Sequence, residues 1–485
     1  MAAIEIFMQS QKLNRLSGIV LVSAAVFAAS FQIASAQPRA ADFSKLSARP
    51  ARDWVRDGVI YEIYPRDFSA DGNFKGITAQ LDRLKDLGVS ILWLMPIHPI
   101  GQEKKKGTIG SPYAVRDYYA INPDYGTKED LKALISAAHR RQMKVMIDIV
   151  ANHTSWDSVM MNHPEFYEHD KTGKITYPHD WSDVAELNYN NPMLREYMTE
   201  MLKYWIREFD LDGFRCDVAE EVPTDFWDHA RAELEKIKPD IFMLAEGHKP
   251  DLEVKAFELD YSWPLHSALT EVLQGRSRAA DLREAWEKEF KDWPHGSLHM
   301  HFSDNHDERR AIARFGEPAA IAASAMMFTL DGVPLIYNGM EVGDTTESGA
   351  PALFEKLPIF WPIAERRPEF PRFYKQMMAL RHSSSALRRG DVQWLHNSDE
   401  LRLVSYLRRS RDEEMLVVIN FSNRPFFGSV EIAGGETLKE VTPDIGAPLP
   451  PDAPAPELAA RARNNGLPAV YLDAWGYRIF RRVLR

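Results

Sequence analysis

The stretch DGFRCD, residues 212–217, is a strand-like apolar run that ends on the carboxylate of Asp217. Two later stretches repeat this arrangement: IFMLAE (241–246) ends on Glu246, and LHMHFSDNHD (298–307) ends on Asp307. A parallel β/α barrel carries its functional residues at the carboxyl ends of its strands. The three stretches therefore predict a barrel with acidic side chains gathered at one rim.

Short β-rich runs alternate with longer amphipathic stretches from Val59 onward, which predicts parallel βαβ units. The predicted helices cover residues 78–87, 128–140, 192–209 and 224–237. The predicted strands include VIYEIYP (59–65), SILWLMP (90–96), KVMIDIV (144–150), VPLIYNG (333–339) and a weak member near Ala256–Leu259. We expect an α/β fold: a closed (β/α)8 TIM barrel with a small domain inserted after strand 3 and a C-terminal antiparallel β-sandwich.

The domain boundaries follow from changes in this pattern. Residues 37–388 are predicted to form the barrel, with the inserted domain at about 152–190, where the chain is long, polar and rich in His, Asp and Tyr. Loops of that length are usually functional or are small domains themselves. Residues 389–485 change to alternating strands such as LRLVSYLR (401–408), EMLVVINF (414–421) and GSVEIAG (428–434), which predict the β-sandwich.

Residues 1–36 are predicted to be a secretory signal peptide. Sparse positive charge precedes an apolar run from Leu16 to Ile33, and Ala34-Ser35-Ala36 forms an A-x-A cleavage site before Gln37. The alternative is an uncleaved membrane anchor, which the short run and its small-residue end disfavour. We expect an exported protein, periplasmic or extracellular, with no stable membrane anchor.

Composition narrows the classes of partner and chemistry. The net charge of −11 disfavours a nucleic-acid partner, because phosphate binding requires clustered Lys and Arg. Cys216 is the sole cysteine, so no intrachain disulfide forms. Its place inside an apolar strand favours a buried space-filling role over that of a nucleophile. No Cys/His cluster suggests zinc.

The paired carboxylates suggest acetal chemistry. Cleaving a glycosidic bond requires one carboxyl group to protonate the leaving oxygen and another to attack or support the anomeric carbon. Asp217 and Glu246 supply such a pair. The alternative is that each acid merely caps the helix that follows its strand. Asp148, which closes another apolar strand before Asn152 and His153, makes chance placement of the whole set a poor explanation.

Taken together, these motifs resemble those of the α-amylase family of retaining glycoside hydrolases, over nearly the whole chain after residue 36. The matching segments are DIVANH (148–153), GFRCDVAEEV (213–222), the stretch around Glu246, SDNHD (303–307), VIYEIYPRDF (59–68), DYYAINPDYGT (117–127) and GVPLIYNGMEVG (332–343). The resemblance implies that Asp217 is the nucleophile and Glu246 the acid/base, the latter with a raised pKa. It implies that Asp307 binds sugar hydroxyls and helps to distort the ring, and that Arg215 keeps Asp217 ionised.

The resemblance also implies a set of substrate-binding residues. His153 and His306 would donate hydrogen bonds to sugar hydroxyls, Tyr113 would offer a ring face for stacking, and Asp148 would lie in the same subsite. Four aromatic residues of the inserted domain are either sugar platforms or its own core. They are Trp156, Tyr177, Trp181 and Tyr189.

The sequence departs from the common α-amylase pattern after the nucleophile, where Glu220 and Glu221 replace a Lys-His pair. Phe226-Trp227 looks like the neopullulanase and cyclomaltodextrinase branch, but DVAELN (183–188) does not, so the subfamily stays open. No cofactor is required for the chemistry. The resemblance implies a structural calcium through Asn152 and Asp183, whose oxygens are of the kind that calcium prefers.

The leading hypothesis is an exported hydrolase of α-1,4-linked glucans or maltooligosaccharides that retains configuration, with catalytic carboxyls about 5–5.5 Å apart. The alternatives are an exo-acting α-glucosidase, a transglycosylase or trehalose-forming isomerase, and an inactive glycan-binding relative. Trp394 and Trp475 suggest starch binding by the C-terminal domain, although a stabilising role is favoured. The oligomeric state cannot be read from the sequence.

Overall fold

The described part of the chain contains one sheet of eight parallel strands, three antiparallel sheets and the helices around them. The computed structural model describes residues 42–349, 352–446 and 467–484, so the predicted signal peptide at 1–36 lies outside the described residues. The strands, in chain order, are β1 (Ile60–Ile63), β2 (Ile91–Leu94), β3 (Lys144–Val150), β4 (His153–Ser155), β5 (Val184–Glu186), β6 (Gly213–Asp217), β7 (Phe242–Ala245), β8 (Asp260–Tyr261), β9 (His299–His301), β10 (Val333–Tyr337), β11 (Asp391–Trp394), β12 (Leu403–Arg409), β13 (Glu413–Asn420), β14 (Phe426–Ser429), β15 (Lys439–Glu440), β16 (Ala469–Leu472) and β17 (Tyr477–Val483).

Fourteen α-helices lie within the described ranges. They are α1 (Asp53–Arg56), α2 (Pro65–Phe68), α3 (Phe74–Ala79), α4 (Leu81–Leu87), α5 (Lys128–Arg140), α6 (Pro192–Phe209), α7 (Thr224–Glu235), α8 (Leu252–Lys255), α9 (Trp263–Leu273), α10 (Ala280–Lys291), α11 (Ala311–Phe315), α12 (Glu317–Thr329), α13 (Glu369–Ser383) and α14 (Ser385–Arg389). Short 3-10 helices lie between several of them. None of the helices in the described ranges has the length and apolar character needed to cross a membrane.

The parallel strands form one sheet in the order β7-β6-β3-β2-β1-β10-β9-β8. Its two ends meet, because Leu244 of β7 pairs with Leu259 next to β8 and the amide of Ala245 donates to the carbonyl of Leu259 at 2.9 Å. The predicted TIM barrel is therefore confirmed. Alternate strand residues point inward, so Trp93, Met146 and Leu244 belong to a cluster inside the barrel.

Two long helices begin where local chemistry predicts. Thr127 and Asp130 form a reciprocal capping box at the start of α5. Asn191 caps α6, and Pro192 occupies its first turn, where a missing N–H costs nothing. Both helices have the predicted bounds, since cap residues and apolar periodicity agree in these segments.

Other predicted bounds are wrong. The strand expected near Ala256–Leu259 is β8 (Asp260–Tyr261), because Ala256 still has helical backbone angles after α8. The helix expected at 78–87 is divided at Gln80 into α3 and α4. In the C-terminal region, the strand expected at 428–434 is β14 (Phe426–Ser429), and beyond it Val430 forms only an isolated bridge to Asn397.

The segment after β3 leaves the barrel as the sequence predicts. Its strands β4 and β5 pair antiparallel, with His153 opposite Glu186 and Ser155 opposite Val184. The hydroxyl of Tyr118 donates to the carbonyls of Val150 and His153 and so joins the end of β3 to the start of this insertion. The insertion therefore begins at the rim where the acidic side chains lie.

The C-terminal strands form a five-stranded sheet, β11-β12-β13-β17-β15, and a two-stranded sheet, β14-β16. Apolar residues of both sheets, including Leu416, Phe426 and Leu472, share one cluster. Contacts to the barrel include a 2.6 Å hydrogen bond between the hydroxyls of Tyr406 and Thr329. Trp394 contacts Trp286 of α10 edge to face at 5.9 Å, which supports a packing role for this tryptophan.

Replacing Trp394 by Ala is expected to lower the free energy of unfolding by about 1–3 kcal/mol, because the ring packs on Trp286 and Tyr406. Urea unfolding measures this change. Phe427→Ala is the matched control, since Phe427 is an exposed aromatic residue of the same region and its loss should be nearly neutral. Loss of retention on insoluble starch in W394A, with unchanged stability, would contradict the packing role.

Candidate active site

The inward-facing residues of three neighbouring strands bring the predicted acids together. Arg215 pairs with Asp148 in the register between β6 and β3, and Leu244 of β7 is opposite Arg215 on its other side. Because side chains alternate along a strand, Arg215 and Asp217 face the same way. The carboxyl ends of β3, β6 and β7 thus place Asp148, Asp217 and Glu246 around one guanidinium.

Arg215 is fully buried and contacts all three carboxylates. Its Nη1 donates to Asp148 at 3.0 Å and to Asp217 Oδ1 at 2.9 Å, and its Nη2 lies 2.7 Å from Glu246 Oε1. Its Nε donates to the hydroxyl of Tyr261 at 3.1 Å. Asp217 and Glu246 are therefore adjacent, as a pair of catalytic carboxyls must be.

Asp148 is a buried acceptor for the surrounding rings. The Tyr113 hydroxyl donates to its Oδ2 at 3.1 Å, and the Trp93 indole N–H donates to the same atom at 3.3 Å. The Tyr113 ring stacks on His306 with 5.3 Å between centroids, and its hydroxyl lies 2.7 Å from His306 Nε2. Tyr113, His306 and Asp148 therefore occupy one wall of the site.

A second ion pair lies on this wall. His306 Nδ1 makes a short contact with Glu62 Oε1, and His306 Nε2 lies 3.2 Å from Asp307 Oδ2. Burial alone would lower the pKa of His306, but Asp307 and Glu62 outweigh burial and raise it to about 9. His306 is therefore charged at neutral pH. The sequence reasoning missed Glu62, although it is the one charged residue in the apolar run VIYEIYP.

The pKa directions of the central pair differ from those expected. Burial and the adjacent Glu246 raise the pKa of Asp217 well above its ordinary value, and Arg215 does not compensate. Burial alone would raise the pKa of Glu246, but Arg215 and the Val218 amide outweigh it and lower that pKa. Each pKa therefore shifts opposite to the direction expected, because one guanidinium is shared among three carboxylates, and the two acids titrate as a pair.

Val218 is a second residue that sequence reasoning missed. Its φ of 45° lies in the left-handed region, which a β-branched residue rarely adopts. This backbone turn directs the Val218 amide to Glu246 Oε2 at 2.7 Å. Strain of this kind collects at functional sites, where the surrounding structure enforces it. The sequence carries no signal for it.

The remaining candidates for contact with sugar differ in their burial and in the residues that they contact. Burial lowers the pKa of His153 to about 4, so its ring is neutral, and Trp181 contacts it edge to face at 5.6 Å. The Tyr177 side chain is exposed. Trp156 donates to the Ser182 carbonyl, and the Lys104 ammonium lies over its ring at 3.2 Å. Tyr189 is buried against Phe226 at 4.7 Å and is therefore a core residue.

The two residues expected to hold calcium are engaged in other contacts. Lys106 Nζ lies 2.7 Å from Asp183 Oδ1, and the Asn152 amide lies 3.4 Å from Glu221 Oε2. A calcium ion needs six to eight oxygen ligands, whereas Asp183 already faces an ammonium group. As they stand, these residues do not fit a calcium ion.

Cys216 is buried between Arg215 and Asp217 in β6, and burial raises its pKa well above the ordinary value. A thiol in this state is a poor nucleophile, because only the thiolate attacks. Cys216 therefore fills space beneath the site, as the sequence predicts. Its neighbours on either side carry the charged groups.

Comparison with known proteins identifies the chain's relatives. Residues 51–183 and 167–398 match the family described as "Alpha amylase, catalytic domain". A cyclomaltodextrinase of Geobacillus thermopakistaniensis is 29% identical over 434 residues, which is 77% of this chain and 70% of that protein. The intracellular maltogenic amylase of Bacillus subtilis is 28% identical over 446 residues, covering 81% of this chain and 72% of that protein.

Solved structures agree with the sequence matches. The maltogenic α-amylase of Thermotoga neapolitana is 30% identical with a TM-score of 0.76, covering 89% of this chain and 100% of that one. An α-amylase of Lactobacillus plantarum is 31% identical with the same TM-score and coverage. Because it covers 89% of this chain, the structural match extends beyond the barrel to the insertion and the C-terminal sheets.

Glu62→Gln is expected to lower the pKa of His306 from about 9 toward its ordinary value, because one of the two carboxylates that hold its proton is lost. NMR titration of the chain with labelled histidine measures the pKa of His306, and exposed His163 is the internal control. In the unmodified chain the folded pKa lies above the unfolded one. The stabilising contribution is therefore complete below about pH 6.5 and is lost as pH rises through about 9. An unchanged pKa in E62Q would refute the assignment.

Addition of Ca²⁺ to the unmodified chain after treatment with EDTA is expected to leave its Tm unchanged. Lys106→Met should instead lower the free energy of unfolding by about 1–3 kcal/mol, because it leaves the buried Asp183 carboxylate without its partner. Lys105→Met is the matched control, since Lys105 is an exposed neighbour whose ammonium donates to Gln102 Oε1 and to the Thr108 carbonyl and forms no ion pair with a described residue. A Tm that falls with EDTA and recovers with calcium would show that calcium binds nevertheless.

Proposed function

The chain belongs to the α-amylase family of glycoside hydrolases, and from that premise we propose that it cleaves α-1,4-glucosidic bonds in starch-like α-glucans and maltooligosaccharides with retention of configuration. The observation that carries the proposal is the contact of Arg215 with both Asp217 and Glu246. Retaining glycosidases require two carboxyl groups about 5–5.5 Å apart. Contact of both groups with one guanidinium supports a separation in that range.

In the proposed first step, the Asp217 carboxylate attacks the anomeric carbon and the bond from that carbon to the glycosidic oxygen breaks. Glu246 gives its proton to the leaving oxygen, and a glycosyl-enzyme ester remains on Asp217. In the second step, Glu246 takes a proton from water as the water oxygen attacks the same carbon. The ester bond breaks, Asp217 leaves as a carboxylate, and Glu246 is again protonated.

The pair must hold one proton for this sequence to begin. In the ligand-free site the raised pKa belongs to Asp217 and the lowered pKa to Glu246. Two interacting carboxyls titrate as a pair, and the reaction uses the form in which Glu246 carries the shared proton. Substrate binding therefore has to favour the form of the pair in which Asp217 is ionised and Glu246 is protonated.

The other site residues have proposed roles in binding. Asp307 is the most exposed of the three acids, with 40% of its side chain accessible against 8% for Asp217 and 16% for Glu246. It faces incoming sugar hydroxyls beside charged His306. Tyr113 offers a ring, and neutral His153 offers a ring N–H. Asp148 contacts Arg215 and Tyr113 and holds both side chains in place, so its proposed contribution to substrate binding is indirect.

Three alternatives remain for the exact reaction. An exo-acting α-glucosidase and a transglycosylase or trehalose-forming isomerase use the same carboxyl pair and differ in subsites and in the exclusion of water. An inactive glycan-binding relative is disfavoured, because Asp217, Glu246 and Asp307 are all present. Among the relatives, the names cyclomaltodextrinase and maltogenic amylase favour hydrolysis of short or cyclic glucans.

Export to the periplasm or the medium remains a proposal that rests on residues 1–36 as a signal peptide. One relative is named as intracellular, so location has to be measured on this chain. The chemistry requires no cofactor in this proposal. We further propose that Lys106, in place of a calcium ion, neutralises Asp183 where the insertion meets the barrel.

Asp217→Asn is expected to lower kcat at least about 1,000-fold, and Glu246→Gln about 100- to 10,000-fold, because each removes a covalent or proton-transfer role. Asp225→Asn is the matched control, since Asp225 is an exposed acid that pairs with Arg195 on the barrel surface. Product release from soluble starch and from maltotriose is followed by chromatography. Full activity in D217N would contradict the nucleophile assignment.

The same time courses distinguish the alternatives. Mixed oligosaccharides early in the digestion of starch would establish endo action, whereas glucose alone, released fastest from maltotriose, would indicate an α-glucosidase. Proton NMR of the first product reports its anomeric configuration. An α-anomer supports retention, and a β-anomer would overturn the two-step mechanism. No product from either substrate would refute hydrolysis of α-1,4 bonds.

A further inference from the structure

A second cluster of buried ionisable side chains begins two residues after Glu246. Its members come from five different segments: His248 after β7, Glu253 in α8, Asp260 in β8, Glu289 in α10 and His299 in β9. The side chains of Asp260, Glu289 and His299 have no accessible surface, and Glu253 is 1% exposed. The proposed glycosidase mechanism uses none of them.

The charges of this cluster are not balanced by lysine or arginine. Within the described residues, the ion pairs of Asp260 and Glu289 are to histidine alone: Asp260 contacts His299 closely and lies 3.8 Å from His248 Nδ1, and Glu289 Oε1 lies 4.0 Å from that nitrogen. Glu253 forms no ion pair with any described residue. Burial of carboxylates without a compensating cation is costly.

Several atoms of the cluster have no hydrogen-bond partner among the described residues. They are His248 Nδ1, both Glu253 oxygens, Asp260 Oδ2, Glu289 Oε1 and His299 Nε2. Ser297 lies near Glu253, and both Trp293 and Glu253 lie near Asp260, yet Trp293 Nε1 and Ser297 Oγ also lack a hydrogen bond of acceptable geometry. Unpartnered buried polar atoms need an explanation such as an ion or water. Here the residues form two overlapping groups that share His299, one with His248 and Glu289 and the other with Glu253 and Asp260.

The geometry points to a metal ion at three of these residues. His248, Glu289 and His299 each bring one ligand atom within 4.8 Å of the others. A four-coordinate zinc ion holds its nitrogen and oxygen ligands about 3.4 Å apart, so a small contraction is enough to bind it. His299 Nδ1 faces Asp260 Oδ1, which leaves Nε2 as the ring nitrogen without a partner. At metal sites, a carboxylate commonly accepts a hydrogen bond from the ring nitrogen of a histidine ligand that does not bind the metal.

The buried carboxylates of the cluster need positive charge to offset them, and a metal ion bound by two imidazoles and a carboxylate would supply it. Protons on the three acids are the alternative means of neutralising the cluster.

We propose that His248, Glu289 and His299 bind a divalent transition metal ion, for which zinc fits the nitrogen and oxygen ligands, and that Asp260 positions His299. Two imidazoles and a carboxylate favour zinc over calcium, which prefers oxygen ligands alone. His248 is the only one of the three with accessible side-chain surface, at 20%, and so provides the route of entry. The Trp293 ring stacks on His248 at 4.0 Å and shields the site.

The bound ion would hold the segment that carries Glu246. The amide of His248 donates to Glu220 Oε2 at 2.9 Å, and the amide of Tyr261 donates to the Gly247 carbonyl at 3.3 Å. Residues 246–248 are thus connected to both the active site and the cluster. The metal proposal does not depend on the identity of the glucan substrate, and its test measures binding and not hydrolysis.

The test uses the full chain without a histidine tag, stripped with EDTA and titrated with Zn²⁺ alone. We expect one zinc ion per chain by equilibrium dialysis and elemental analysis, and a Tm that rises with zinc concentration. His248→Ala and Glu289→Gln should each weaken binding at least tenfold. His163→Ala is the matched control, since His163 is exposed and contacts Glu165, and it should bind as the unmodified chain does.

Absence of bound zinc, or equal zinc binding by H248A and E289Q when both fold normally by circular dichroism, would overturn the proposal and leave protons as the neutralising charge. Co²⁺ titration of the unmodified chain provides a measurement that needs no variant. We expect paramagnetic shifts of two histidine rings and visible absorption typical of four-coordinate cobalt. Shifts of surface histidines alone would also overturn it.

Discussion

Arg215 places a single positive charge among the carboxylates of Asp148, Asp217 and Glu246 at the carboxyl ends of the barrel strands. Three acids around one guanidinium oppose one another's ionisation, and burial adds to this, so the pKa values of Asp148 and Asp217 are raised. The strands β3, β6 and β7 are adjacent, and their register makes this shared contact possible.

The surrounding residues provide hydrogen bonds and opposite charges to the other charged groups of the site. Tyr113 and Trp93 donate hydrogen bonds to Asp148, while Glu62 and Asp307 flank charged His306. Such a group of buried charges is costly to desolvate, and stability has to come from elsewhere. The apolar barrel interior and the helices packed around it supply that stability.

Sequence reasoning was most successful where a local pattern and a local cause coincide. The bounds of α5 and α6 follow from apolar periodicity together with the caps Thr127 and Asn191. It was least successful where the cause is distant in the chain. Glu62 matters because His306, 244 residues later, contacts it, and Lys106 matters because Asp183 lies against it. The short β8 was misplaced, because only its neighbours in the barrel define it.

The amino-acid sequence by itself determined the order of strands and helices, the (β/α)8 class and the acids that stand at strand ends, because period, capping and strand-end position are local properties. Only the tertiary structure decided how the pKa of each acid of the central pair shifts, since that depends on the distances from Arg215 and the Val218 amide to each carboxylate. It alone also brought His248, Glu289 and His299 together. Proton affinity and metal coordination depend on spatial neighbours, and folding brings those neighbours together from distant parts of the chain.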